Sequence, residues 1–149
     1  MAYKIAILIS GNGSNMLNII NASRKGEIKS EIVTVVSNNP NSQGIKKVKD
    51  LGINTKILEY KNFKTKYEFE NSLSSHFKKC GVDLICLAGF MKILSIKFIK
   101  IWEKRIINIH PSLLPAFKGL STHKRAIEMN VKYSGCTVHF VNNELDSGE

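Results

Sequence analysis

The sequence predicts an α/β chain: a Rossmann-like, mostly parallel sheet with helices on both faces. Two observations carry that prediction. Short aliphatic and β-branched runs alternate along the chain with stretches of helical periodicity, the βαβ pattern of a parallel sheet with right-handed crossovers. Two helical stretches are closed by glycine, at Gly52 and Gly81, where a C-terminal cap belongs. A chain of 149 residues suits one domain, and residues 1–149 are read as a single catalytic unit.

The elements follow in order. Lys4–Ser10 reads as a buried strand stopped by Gly11, and Asn15–Arg24 as a helix with Leu17, Ile19 and Ile20 apolar. Glu31–Ser37 is a second β-branched run, ended by the Asn38-Asn39-Pro40 turn. Ser42–Leu51 is helical, Thr55–Leu58 a short strand and Thr65–Lys79 a longer helix. Asp83–Ala88 is a fourth strand, Ser95–Trp102 a helix, and Arg105–Ile109 a fifth strand ended by His110-Pro111. Thr122–Met129 is the last helix, and Gly135–Val141 alternates as a final strand. In such a sheet ligands sit outside the carboxyl ends of the strands. That rule singles out residues 11–15, 88–94 and 108–115.

Composition excludes several classes. The 43% hydrophobic and 23% charged fractions are those of a globular chain, not a disordered or fibrous one. No apolar run approaches the ~18 residues of a membrane span. The N-terminus, Met1-Ala2-Tyr3-Lys4-Ile5, enters a strand directly, without the pattern of a signal peptide. The net charge is +10, but 19 of the 22 basic residues are scattered lysines; only Arg24, Arg105 and Arg125 are arginine. There is no basic stripe with interleaved aromatics, so nucleic acid is not an expected partner. A positive field suits a small anionic substrate. The odd cysteine count, Cys80, Cys86 and Cys136, without a Cys-x-x-Cys pair, speaks against zinc or redox motifs and for a reducing cytoplasm. Cys86 lies in an apolar run and reads as a buried free thiol.

Four stretches could carry chemistry. Ser10-Gly11-Asn12-Gly13-Ser14-Asn15 joins the first strand to the first helix. Glycines let the backbone approach a ligand, and a helix N-terminus offers free N–H groups to an anion. It matches neither the dinucleotide fingerprint nor the P-loop. A phosphate site and a tight turn capped by Ser14 or Asn15 are equally compatible with this spacing. Asn108 and His110 lie two apart on a strand and share a face, pairing an amide donor with an imidazole that can move a proton. Asp146 would hold such an imidazole protonated if the two met, and otherwise is a solvated turn residue. Ala88–Leu94 is either the wall of a ligand pocket or a buried crossover. His123 and His139 read as structural or pocket-lining. No residues have metal-ligand spacing, so no metal is expected.

With these motifs in view, the chain resembles the phosphoribosylglycinamide formyltransferase family, folate-dependent enzymes of purine synthesis. The resemblance rests on Ile9–Asn15, Leu87–Ser95, Asn108–Pro115 with Gly119, and Gly135–Val141 running on to Asp146-Ser147-Gly148. It implies formyl transfer from 10-formyltetrahydrofolate to the amine of glycinamide ribonucleotide. It implies catalytic roles for Asn108, His110 and Asp146, and ribose-phosphate binding by Gly13, Ser14 and Asn15. Met91, Lys92, Ile93 and Leu94 would line the folate pocket, with Lys66 a further folate contact. The Leu114–Pro115 peptide would be cis. The implied enzyme is cytoplasmic, a monomer or homodimer working on small molecules without nucleic acid, membrane or metal.

Two departures stand out. Lysine replaces the family's usual arginine at Lys92 and Lys66, keeping charge but losing bidentate geometry. The family carries Gly-Pro after the aspartate and then further chain, whereas Glu149 follows Gly148 here, so a truncated C-terminus is expected. Three rivals remain. A formyltetrahydrofolate hydrolase would share Asn-x-His and the distant Asp, but would carry an extra N-terminal domain. A methionyl-tRNA formyltransferase would share His-Pro-Ser-Leu-Leu-Pro, but needs an RNA-binding domain. A non-catalytic module would keep folate or phosphate binding alone.

Overall fold

The computed structural model describes residues 2–149; Met1, at the head of the N-terminal run read above, lies outside the described residues. Six strands form one sheet: β1 Tyr3–Ile9, β2 Ser30–Ser37, β3 Thr55–Ile57, β4 Leu84–Leu87, β5 Ile106–His110 and β6 Thr137–Phe140. Five α-helices lie between them: α1 Ser14–Arg24, α2 Gln43–Lys49, α3 Lys66–Lys79, α4 Ile96–Ile101 and α5 Thr122–Glu128. Each matches a stretch read from the sequence to within about two residues. A single 3₁₀ turn at Tyr60–Asn62, before α3, was not foreseen.

The strand order is β3-β2-β1-β4-β5-β6. The winding therefore runs outward from β1 to β3, then returns through α3 to β4 on the other side of β1. The sheet is mostly parallel, as expected; the exception is at one edge, where β6 runs antiparallel to β5. Asn108 faces His139 and His110 faces Thr137 in that register. The edge strand leaves Val138 exposed.

The central strand shows why the first apolar run is continuous. Ala6 and Leu8 of β1 point into a core shared with Phe69, Leu73, Phe77, Phe98 and Trp102 of the α3–α4 side. Ile5, Ile7 and Ile9 point into the opposite core, with Met16, Ile20, Ile45 and Val48 of α1 and α2. Side chains alternate across a strand, so a strand covered on both faces is apolar at every position.

Several buried polar groups in these layers are paired. Trp102 Nε1 donates to Ser74 Oγ at 3.0 Å. The buried Glu70 carboxylate accepts from the Ser95 amide at 2.7 Å and from the Ser95 hydroxyl, which also caps α4 by accepting from Phe98 N–H. Replacing Ser95 with alanine removes the cap and one of the carboxylate's partners. The expected loss is about 1–2 kcal/mol of stability, measured by urea unfolding.

His76 Nε2 lies 2.9 Å from Thr34 Oγ1. Burial lowers its pKa, helped by the charges of Lys56 and Lys79. The folded chain thus releases this proton more readily than the unfolded chain. Between the ordinary value, about 6.5, and the lowered one, the unfolded state binds more protons, and stability falls as the solution is acidified. His76→Gln is expected to flatten that slope in denaturation series run from about pH 7 to about pH 5.

Candidate active site

Strands β1, β4 and β5 are consecutive neighbours, and their carboxyl ends bring the three singled-out stretches side by side. At about 5 Å per strand spacing, the end of β1 is some 10 Å from that of β5. The winding reverses between β1 and β4, which is where a doubly wound sheet opens a crevice. A cavity of about 270 Å³ lies there, between Ser10–Asn15 and the Ala88, Gly89 and Met91 backbone turn.

On the β1 side, Gly13 stands at the N-cap of α1 with φ +71°, a conformation that favours glycine. Neither Ser14 nor Asn15 caps the helix; both are exposed beside the cavity, with the first-turn N–H groups of α1 at their backs. Of the two meanings of this loop, the capped turn is not what forms. On the β4 side, Ser10 Oγ bridges the loops by accepting from Met91 N–H at 2.9 Å and donating to Asn38 Oδ1 at 2.6 Å.

The β5 side holds a polar cluster. His110 and Asp146 are both buried, and His110 Nδ1 lies 3.4 Å from Asp146 Oδ2. The link between them that sequence alone leaves open is made in the fold. His110 Nε2 donates to the Phe117 carbonyl at 2.9 Å. Both ring nitrogens therefore face acceptors. The Asp146 carboxylate also accepts from Gly119 N–H at 2.9 Å.

His139 joins this cluster. Its Nδ1 donates to the Phe140 carbonyl at 3.0 Å, which leaves Nε2 as an acceptor for Asn108 Nδ2 at 3.3 Å. Asp146 Oδ1 is 3.8 Å from the same nitrogen, too long for a hydrogen bond. The sequence reading left His139 as structural or pocket-lining. The missing signal was the antiparallel β5–β6 register, which sets His139 opposite Asn108.

The segment after β5 folds over this cluster. Leu114–Pro115 is cis, as expected. Leu114 N–H donates to Thr137 Oγ1 at 3.0 Å, and that hydroxyl donates to the Ser112 carbonyl at 2.8 Å. Arg125 donates to the Lys118 carbonyl at 2.6 Å and stacks its guanidinium 5.5 Å from the Phe117 ring centre.

The remaining sequence-marked residues divide. Met91 and Ile93 are exposed, at 68% and 73%, and Met91 lines the cavity. Lys92 extends its amine over the Tyr60 ring at 4.7 Å. Leu94 instead turns into the core with Phe98 and Trp102. Lys66 opens α3 and makes no hydrogen bond or ion pair with residues 91–94 among the described residues. His123 is exposed on α5, outside the cluster. Cys86 is buried in β4, and burial pushes its thiol up to about 11, which keeps it protonated and unreactive at neutral pH. Among the described residues no group of three His, Cys, Asp or Glu is placed to hold a metal ion, and no helix is long and apolar enough to cross a membrane.

Donors aimed from strand ends, an imidazole backed by a carboxylate and a glycine-rich turn beside them make a Rossmann-like group-transfer domain. The profile described as formyl transferase matches residues 3–149. The chain belongs to the formyl transferase family, and within it to the phosphoribosylglycinamide formyltransferases. It is 44% identical to a phosphoribosylglycinamide formyltransferase of Haemophilus influenzae over 145 residues, 97% of this chain and 68% of that protein. It is 47% identical to the trifunctional purine biosynthetic protein adenosine-3 of Gallus gallus, covering 97% of this chain but only 14% of that much longer protein. The crystal structure of phosphoribosylglycinamide formyltransferase from Brucella melitensis superposes with a TM-score of 0.95 at 42% identity, covering 99% of this chain and 76% of that one.

Proposed function

We propose that this domain transfers the formyl group of 10-formyltetrahydrofolate to the primary amine of glycinamide ribonucleotide. The observation that carries the reading is the contact of His110 with Asp146 at the end of β5, with Asn108 two residues earlier on the same strand and about two strand spacings from the glycine-rich turn. That span suits a substrate anchored by its phosphate at one end and reacting at the other.

Gly13, Ser14 and Asn15 take the ribose phosphate, through backbone N–H groups at the start of α1 and their exposed side chains. Met91 and Ile93 give the folate an apolar wall, and Lys92 supplies a cation beside it for an anionic tail. Lys66 adds a second cation at the start of α3. Leu94 supports the wall from the core.

In the reaction the neutral amine attacks the formyl carbon and a new C–N bond forms. The carbonyl electron pair moves to oxygen, giving a tetrahedral oxyanion. The Asn108 amide and protonated His110 donate to that oxygen, which takes the place of the Phe117 carbonyl as the acceptor on His110. Asp146 keeps the imidazole charged and oriented, and with a water moves the proton lost by the amine. The bond to the folate nitrogen then breaks, and that nitrogen leaves with a proton. The substrates are small molecules of the cytoplasm, and the domain works as a monomer or homodimer.

The test mixes the purified chain with 10-formyltetrahydrofolate, with and without glycinamide ribonucleotide, and follows deformylated folate by absorbance. Turnover only with the nucleotide is the expected result. Turnover without it would make the domain a hydrolase. Folate binding without turnover in either mixture would make it a binding module.

A further inference from the structure

Three successive carbonyls of the glycine-rich turn are held from behind by one segment, the β2–α2 connection and α2. Asn39 Nδ2 donates to the Ser10 carbonyl at 3.0 Å. Ser42 Oγ donates to the Gly11 carbonyl at 2.8 Å, joined by Gly44 N–H at 3.0 Å. Lys47 Nζ donates to the Asn12 carbonyl at 3.3 Å. In a trans peptide the C=O of one residue and the N–H of the next point in opposite directions. Pinning these carbonyls toward α2 therefore turns the N–H groups of Gly11, Asn12 and Gly13 the other way, where the same residues line the cavity.

Two details show that the β2–α2 segment is built for this. Ser42 stands at the N-cap of α2, where a serine ordinarily accepts a hydrogen bond from its own helix. It makes no such bond; its hydroxyl is spent on Gly11, and the residue is 1% exposed. Gly44 lets the helix come close: a Cβ there would lie 2.5 Å from Ile9 Cδ1 and 3.1 Å from the Gly11 carbonyl oxygen.

We infer that Ser42 and Asn39 are positioning residues for phosphate recognition, acting through the Gly11 and Ser10 carbonyls to keep the turn's N–H groups aimed at a phosphomonoester. This rests on reading Gly13–Asn15 as the phosphate site.

Calorimetric titration of the full chain with glycinamide ribonucleotide, and separately with tetrahydrofolate, tests it. Ser42→Ala is expected to weaken the nucleotide about tenfold, the effect of one hydrogen bond, and to leave tetrahydrofolate unchanged. Ser42→Thr, which keeps the hydroxyl, is expected to restore most of the affinity. Asn39→Ala, at a half-buried position, is expected to act in the same direction and serves if Ser42→Ala melts early. Unchanged nucleotide affinity in both alanine variants, or equal losses for both ligands, would overturn the inference alone. Wild-type chain that binds tetrahydrofolate but neither the nucleotide nor inorganic phosphate would overturn the phosphate site itself, and the inference with it.

Discussion

Replacing His110 with alanine is expected to lower formyl-transfer turnover by roughly two to three orders of magnitude, the usual consequence of losing one donor to a developing oxyanion. The side chain is 5% exposed and held between the Phe117 carbonyl and Asp146. Its loss leaves the Asp146 carboxylate with Gly119 N–H as its remaining close donor. Some destabilisation accompanies the kinetic effect, so the assay is paired with a thermal melt. Asn108→Ala is expected to act on turnover to a similar degree. It frees His139 Nε2 of its amide partner, but at a half-buried position where water can substitute. Near-normal turnover in a folded His110 or Asn108 variant would remove that residue from the mechanism.

Asp146→Asn is the second large effect, a fall in turnover of roughly a hundredfold or more by analogy with carboxylates that orient catalytic histidines elsewhere. The substitution keeps the shape and removes the charge. His110 Nδ1 and Gly119 N–H both face the same carboxylate oxygen, Oδ2, and an asparagine oxygen placed there can accept from both, so the variant reads out the charge rather than the hydrogen bonds. If the carboxylate acts through His110, the Asp146→Asn and His110→Ala losses are strongly non-additive: the double variant is expected to be little worse than the poorer single one. Additive losses would mean that the two residues work separately. Steady-state kinetics on the two single variants and the double variant decide between these.

The order of strands and helices was legible because it is written in local periodicity. The run around Ile7 is apolar at every position because β1 is covered on both faces, and the stretches closed by Gly52 and Gly81 are helices that end there in the left-handed conformation. That order also made β1, β4 and β5 neighbours, so that the three stretches at their carboxyl ends lie side by side. What was not legible depended on pairing between distant residues. The antiparallel β6 has no signature in its own alternation, and His139 enters the cluster only through that strand's register with β5. Asp146 reaches His110 through a loop whose course no local pattern sets, with Asp146 itself at φ +49°. Leu94 looked like its neighbours Met91 and Ile93, yet the turn before α4 sends it into the core while they stay outside. The hold of Phe117 on His110 is a backbone contact, invisible to any reading of side chains.

The most direct test of formyl transfer at this site follows the carbon itself. The chain would be incubated with 10-formyltetrahydrofolate labelled with ¹³C at the formyl carbon, together with glycinamide ribonucleotide, and the label located by NMR. The expected result is a formamide carbon on the nucleotide, appearing in step with deformylated folate and nearly abolished in the His110→Ala variant. Label released as free formate, or transfer undiminished in that variant, would contradict the account.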